Sequence, residues 1–203
     1  MNDTGTGRDL LAATAPDSAT LAALHARLES DADAAGLLDL AYDRIDSPIG
    51  PLLLVASERG LVRVAFDVEG HDRVLTELAG KLGPRILRAP ARLAAAAREL
   101  DEYFAGTRTT FDVPLDFALS SRFRLRVQQL LPGIAYGTTA TYTDLAVRAG
   151  SPNAVRAVGS ACATNPLPVV VPCHRVLRTD GSLGGYLGGL DAKAALLDLE
   201  HAA

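Results

Sequence analysis

Val171-Pro172-Cys173-His174-Arg175-Val176 sets a thiol beside an imidazole, between a flat apolar run (Leu167 to Val171) and a glycine-rich turn around Gly181 to Gly189. A lone Cys is more often a small buried hydrophobe than a nucleophile. The neighbours of this one point elsewhere. Pro172 fixes its own backbone and restricts Val171, which predicts a rigid, extended entry to Cys173. His174 and Arg175 are groups that a structural Cys does not require, and a cationic neighbourhood favours thiolate over thiol.

Upstream of this stretch the chain reads as short helices. Ser121 is placed to cap a helix carrying Phe123, Val127, Leu130 and Leu131, which Pro132-Gly133 breaks. Thr141, with Asp144 at the third helical position, has the capping-box pattern for a helix over 142–148. Gly150 ends that helix. Ser151-Pro152 opens the next, predicted over 152–163 because Pro suits a first helical turn. Two short helices across a tight turn form a helix-turn-helix. The second is built from small residues, Ala154, Ala157, Gly159, Ser160, Ala161 and Ala163. One face therefore packs closely, and the other can approach a DNA backbone without a clash. Arg156 projects from it.

Further upstream, residues 40–66 read as a hairpin, with strands at Leu52–Ala56 and Leu61–Phe66 around Glu58-Arg59-Gly60. Helices follow at about 71–81 and 91–104, with a short strand, Arg85 to Leu87, between them. Phe111 to Asp116 alternates and leads out. This is a small α/β module without a visible catalytic group, and His71 reads as a surface residue. Residues 1–39 read as an acidic extension: a tail, then a helix from Ser18 to about Ala35 on the Leu21, Leu24, Leu28 pattern.

Charge separates these regions. The net charge of −4 is misleading as a whole. Residues 1–40 carry two Arg against seven acidic residues, whereas residues 120–180 carry seven Arg against two. A local basic face suits salt-sensitive phosphate contact. With 203 residues, 48% apolar, two small domains have material for a core. No apolar run is long enough for a membrane span, and the first residues lack a signal-peptide pattern. Two Cys do not make a disulfide framework. The expected setting is the reducing cytoplasm, which keeps Cys173 free. The Cys and His positions show no paired metal-ligand spacing, and neither glycine-rich phosphate-loop pattern is present. No metal and no cofactor are expected.

Pro172-Cys173-His174-Arg175-Val176, preceded by Asn165-Pro166 and Arg156-Ala157-Val158-Gly159, resembles the O6-alkylguanine-DNA alkyltransferases, the methylated-DNA–protein-cysteine methyltransferases. The likeness runs on through Gly185-Tyr186, Gly188-Gly189-Leu190, Leu196-Leu197 and Glu200, and back to Ile134, Tyr136-Gly137 and Tyr142. It covers about residues 120–200, with a fainter match at Asp46 to Leu52.

The resemblance implies a small ribonuclease H-like α/β domain at 40–117. A mostly helical domain at 118–203 would carry a winged helix-turn-helix. It implies irreversible, stoichiometric transfer of an alkyl group from O6-alkylguanine, and from O4-alkylthymine, in double-stranded DNA to Cys173. His174 would act as a base through one water, oriented by Glu200. Asn165-Pro166 would be the hinge between the recognition helix and the active-site loop, with Asn165 placed either to cap local backbone groups or to bond the Cys-bearing turn, and Tyr142 would serve the leaving base. Arg156 would fill the gap of a flipped base, with Ala157, Ser151 and Tyr142 on the DNA side. Tyr186, Gly188, Pro168 and Val176 would line the substrate pocket. The protein is expected to act as a monomer, with cooperative binding on DNA left open. Two departures stand out: Gln128 where the family often has Trp, and Ala135 where Pro is usual. A non-enzymatic lesion-sensing or regulatory helix-turn-helix protein is the alternative, but such sensors replace the reactive Cys. A Cys–His hydrolase lacks an identifiable oxyanion arrangement.

Overall fold

The computed structural model describes residues 16–201. Two compact units divide at Leu38/Asp39. The first contains helix α1 (Ser18–Ala34), whose N-terminus is capped by Asp17 accepting from the Thr20 N–H at 2.7 Å. The expected tail lies outside the described residues.

The second unit begins with a four-stranded sheet of order β3-β2-β1-β4, formed by β1 (Leu40–Ile45), β2 (Leu52–Ser57), β3 (Gly60–Phe66) and β4 (Ile86–Arg88). The first three strands are antiparallel neighbours, and β4 pairs parallel to β1. Strand β2 is apolar from Leu52 to Ala56 because both its faces are covered there. Leu52, Leu54 and Ala56 pack in one cluster with Leu93, Ala96, Leu100 and Tyr103 of α3 (Pro90–Phe104). Leu53 and Val55 pack on the other face with Val74 and Leu78 of α2 (His71–Leu82). Here the structure departs from the surface reading of His71, which is buried at the start of α2.

The alternating segment 111–116 is not a full strand. It crosses the end of β3, where Leu61 N donates to Pro114 O and Asp116 N donates to Leu61 O, both at 2.8 Å. Gly60 permits this crossing, since a Cβ there would meet the Pro114 carbonyl.

The remainder is mostly helical. It comprises α4 (Arg122–Leu130), α5 (Tyr142–Arg148), α6 (Val155–Ala163) and α7 (Gly189–His201), with β5 (Ala140–Thr141) and β6 (Val176–Leu177) paired in parallel. Thr141 and Asp144 form the expected capping box of α5. Two details differ from the sequence reading. Helix α6 starts at Val155, because residues 151–154 close a separate turn through Ala154 N to Ser151 O at 2.8 Å. Ser121 takes the N-cap position of α4 without a side-chain hydrogen bond.

One apolar cluster joins the sheet to the helical half, running from Leu54 and Tyr103 to Val127, Leu145, Val158 and Leu196. Val64 N of β3 donates to Pro166 O at 2.9 Å, so the sheet also holds the loop after α6 by its backbone. The architecture is an α/β half bearing a mostly helical half.

Candidate active site

The loop that carries the thiol is folded around Asn165. Its Oδ1 accepts from Leu167 N at 3.1 Å. Its Nδ2 donates to Val171 O at 2.8 Å and to the Cys173 sulfur at 3.2 Å. The apolar run 167–171 is not the extended entry its composition suggests. Val171 N donates to Leu167 O and Cys173 N to Val171 O, both at 2.8 Å, which coils it into successive tight turns. Val169, fully buried, sits at φ 71. A β-branched residue there costs about 1–3 kcal/mol, tolerated only where the surroundings over-determine the backbone.

Cys173, His174 and Arg175 form one turn of 3-10 helix. Cys173 is buried, and burial pushes its thiol up to about 11, against the opposing pull of the Asn165 amide and the Lys193 ammonium. This reverses the expectation that cationic neighbours leave a thiolate at rest. Arg175 does not face the sulfur, and desolvation outweighs the charge that remains.

Arg175 instead grips Glu200. Its Nε donates at 2.9 Å to Oε2 and its Nη2 at 2.8 Å to Oε1, while Nη1 donates to Ile134 O at 2.7 Å. Gly137 N donates to Oε2 at 3.2 Å, Tyr103 Oη to Oε1 at 2.7 Å, and His174 Nε2 to Oε1 at 2.8 Å. Burial alone raises the Glu200 carboxyl, but these donors overcome it and hold it at about 2. Burial lowers His174 against the opposing attraction of Glu200, so the imidazole is neutral at rest. Among the groups that keep the carboxylate ionised, the His174 hydrogen bond comes first, followed by Arg175 and then Tyr103. With Nε2–H given to Glu200, Nδ1 carries the lone pair, and it has no hydrogen-bond partner among the described residues.

Lys193 of α7 is fully buried, with its Nζ donating to Val176 O at 2.6 Å. Burial lowers its pKa, opposed by Cys173 and Cys162. Tyr186 stands edge-on to His174 at 6.5 Å and to Phe66 of β3 at 5.5 Å. Gly188 is needed because a Cβ would strike the Phe66 ring, and Gly184 because one would strike the Tyr142 hydroxyl. Pro168 and Val176 are buried in the loop and in β6.

Cys173, Asn165, His174 and Glu200 are thus joined by hydrogen bonds or as chain neighbours, with Tyr186 against the imidazole. Arg156 and Ala157 are exposed on α6, and Ser151 lies in the turn before it, apart from that network. Arg156 makes no hydrogen bond or ion pair among the described residues.

Sequence reasoning missed Tyr103, Lys193, Phe66 and the buried role of Arg175. Two signals were available. Tyr103 ends the apolar stripe Leu93, Ala96, Leu100 of α3, and a hydroxyl on a buried stripe needs a partner. Lys193, Leu196, Leu197 and Glu200 share one helical face, so a docked α7 buries a cation with its acid.

The fold and this site define a helix-turn-helix protein with a buried Cys–His–carboxylate centre at the junction with a ribonuclease-like sheet. Residues 122–202 match the DNA-binding domain, and residues 40–117 the ribonuclease-like domain, of 6-O-methylguanine DNA methyltransferase. The methylated-DNA–protein-cysteine methyltransferase of Methanosarcina barkeri is 42% identical over 160 residues, 79% of this chain and 96% of that protein. The Mycobacterium bovis protein of that name is 40% identical over 78% of this chain and 91% of its own length. Crystal structures of the Mycobacterium tuberculosis O6-methylguanine methyltransferase superpose with a TM-score of 0.71 at 39% identity, and a structure of a relative from that organism with DNA with 0.69 at 40%. Each covers 80% of this chain and 93% of the other. The chain belongs to the methylated-DNA–protein-cysteine methyltransferase family of DNA repair enzymes.

Proposed function

We propose that Cys173 accepts, once and irreversibly, an alkyl group from O6-alkylguanine in double-stranded DNA, and also from O4-alkylthymine. The observation that carries this reading is the sequence of contacts from Asn165 on the Cys173 sulfur to a neutral His174 held through Nε2 by Glu200. The thiol proton leaves to His174 Nδ1 through one water. The sulfur–carbon bond forms as the carbon–oxygen bond breaks, and the departing guanine takes a proton. The Tyr142 hydroxyl, kept neutral by burial, is a suitable donor. In sum, a thiol and an alkylated base become a thioether and a normal base, with no metal or cofactor required.

A stacked base does not expose its O6-alkyl carbon to in-line attack, so the base must be flipped, at a cost of a few kcal/mol. Helix α6 enters the minor groove, where little sequence is read, as suits repair at any site. Arg156 takes the vacated place in the stack, and Ala157 and Ser151 lie along the backbone. Tyr186, Gly188, Pro168 and Val176 wall the pocket for the flipped base. The protein acts as a monomer in a reducing, cytoplasmic setting. The solved relative with DNA supports the duplex as partner.

Incubation with duplex DNA containing O6-methylguanine should add one methyl per chain, on the peptide holding Cys173, and then stop. Mass spectrometry reads this directly. Turnover beyond one equivalent, or a methyl on Cys162, overturns it. In the same assay Arg156→Ala should slow transfer from duplex DNA far more than from the free base O6-benzylguanine. Equal losses would remove Arg156 from the flipping step.

A further inference from the structure

The α/β half contributes one polar side chain to the centre. Tyr103, fully buried on α3, donates its hydroxyl to Glu200 Oε1 at 2.7 Å and lies 3.5 Å from His174 Nε2. The same oxygen receives His174 Nε2 at 2.8 Å and Arg175 Nη2 and Nε at 2.8 and 3.1 Å. One carboxylate oxygen has two lone-pair directions, so these four donors compete. A stronger bond from one weakens the others.

We propose that Tyr103 is a positioning residue for alkyl transfer: by competing with His174 for one oxygen of Glu200, it sets how tightly the carboxylate holds the imidazole and hence the pH below which His174 stops accepting the thiol proton. This rests on the proposed role of His174. The groups facing His174 are few. Glu200 and Lys193 come from α7, Arg175 from its own turn, Tyr103 from α3, and Tyr186 from the glycine-rich loop. Glu200 stabilises a protonated imidazole, while Arg175 and Lys193 oppose it. Tyr103 acts through Glu200, drawing off carboxylate charge. It remains a neutral donor at all working pH, because burial and Glu200 hold its own proton well above the ordinary range. Its other contacts are the rings of Phe104, Phe111 and Tyr136, which fix the hydroxyl in place.

The sign follows directly. Without the Tyr103 hydroxyl, Glu200 binds His174 more strongly, the imidazolium is stabilised, and His174 protonates at higher pH. The test is the pH profile of single-turnover transfer from O6-methylguanine duplex DNA. Tyr103→Phe should move the acid limb up by about one pH unit, which is about tenfold in rate at the acid end. The rate on the neutral plateau should change much less than the rate at the acid end. Replacing Tyr103 by 3-fluorotyrosine, a stronger donor of nearly the same shape, should move the limb the other way. This second variant keeps the test alive if Tyr103→Phe does not fold. A merely structural Tyr103 would scale the rate equally at every pH. Titration of the His174 imidazole by nitrogen NMR needs no activity, and should show the same opposed shifts. Superimposable profiles with an unmoved imidazole titration would overturn the inference. Failure of the wild type to transfer methyl at any pH would sink the proposed function instead, leaving the NMR comparison to decide Tyr103.

Discussion

Helix α6 and the turn that follows its loop each carry a buried cysteine, eleven positions apart. Both are free, and both are almost wholly shielded, with 7% exposure at Cys162 and 4% at Cys173. Burial pushes both thiols up, to about 12 and about 11. On accessibility and acidity at rest, the two scarcely differ. What differs is the set of groups arranged around each. Cys162 packs in the apolar cluster with Val158 and Ala161. Cys173 has an amide donor on its sulfur, an adjacent neutral imidazole with a free lone pair, and a carboxylate behind that imidazole. Burial therefore argues against a preformed thiolate on Cys173. In the proposed mechanism a proton acceptor and a sulfur hydrogen bond act instead when the substrate arrives, as in general-base activation of a nucleophile.

The hardest test of this contrast is to remove each sulfur in turn. Cys173→Ser should abolish methyl transfer while leaving duplex binding measurable by fluorescence anisotropy. Cys162→Ala should keep the wild-type rate to within about a factor of two, because it loses only packing; the lost atom costs about 1 kcal/mol of stability. Retained transfer in Cys173→Ser, or complete loss in Cys162→Ala, would erase the distinction.

A second, smaller effect sharpens the distinction. Glu200→Gln keeps the shape but removes the charge that favours a protonated His174. Transfer measured in rapid-quench experiments should fall by about 10²–10⁴, the range of general acid–base contributions. It should recover partly only as pH rises towards about 11, where the buried Cys173 thiol ionises without help. A deficit that ignores pH would make Glu200 a purely structural anchor for Arg175.

How far the sequence alone reached can be judged from the same residues. Strands β2, β3 and β4 and the two covering helices were legible from the continuous apolar run of β2 and the apolar periodicity of α3, whereas β1, which pairs with both β2 and β4, was not read as a strand. The helix-turn-helix was legible from Thr141, Asp144 and Gly150. The start of α6 was misplaced because Pro152 suits a first helical turn as well as a plain turn, and only the bond from Ala154 to Ser151 separates the two. In the site, residues close in sequence were easier than those brought together by folding. Asn165 and His174 lie within nine positions of Cys173. Tyr103 reaches the centre across 97 residues from Glu200, and nothing local marks it beyond a hydroxyl on an apolar stripe. Arg175 was read as a cation for the thiol, since it adjoins the Cys–His pair. The fold directs it to Glu200 instead, and adjacency in a chain does not specify direction. Gln128, the departure from the family's Trp, is fully buried. It accepts from Ser120 Oγ at 2.5 Å and donates to Ala161 O of α6 at 3.2 Å, so a polar tie from α4 to α6 stands in that place.

The smallest expected effect is on stability in acid, and it follows from the contrast between the two cysteines, since only Cys173 has a charged network behind it. Glu200 is held at about 2 in the folded protein against an ordinary 4.5. The unfolded chain therefore binds the proton first. The stability that this carboxylate contributes is complete above about pH 4.5 and is lost as pH falls towards about 2. His174 adds to the trend from higher pH. It is held neutral by burial below its ordinary 6.5, so the unfolded chain again takes the proton first and stability declines as pH drops through that range. At pH 3 the Glu200 contribution should be down by about 2 kcal/mol, at roughly 1.4 kcal/mol per unit. Urea unfolding followed from pH 7 to pH 3 should show stability falling in two stages. Glu200→Gln should be less stable at pH 7, having lost the charge that pairs with Arg175, but should lack the lower stage. If the variant and the wild type decline in parallel below pH 4.5, the acid sensitivity belongs to other carboxylates, and Glu200 does not carry the charge behind His174.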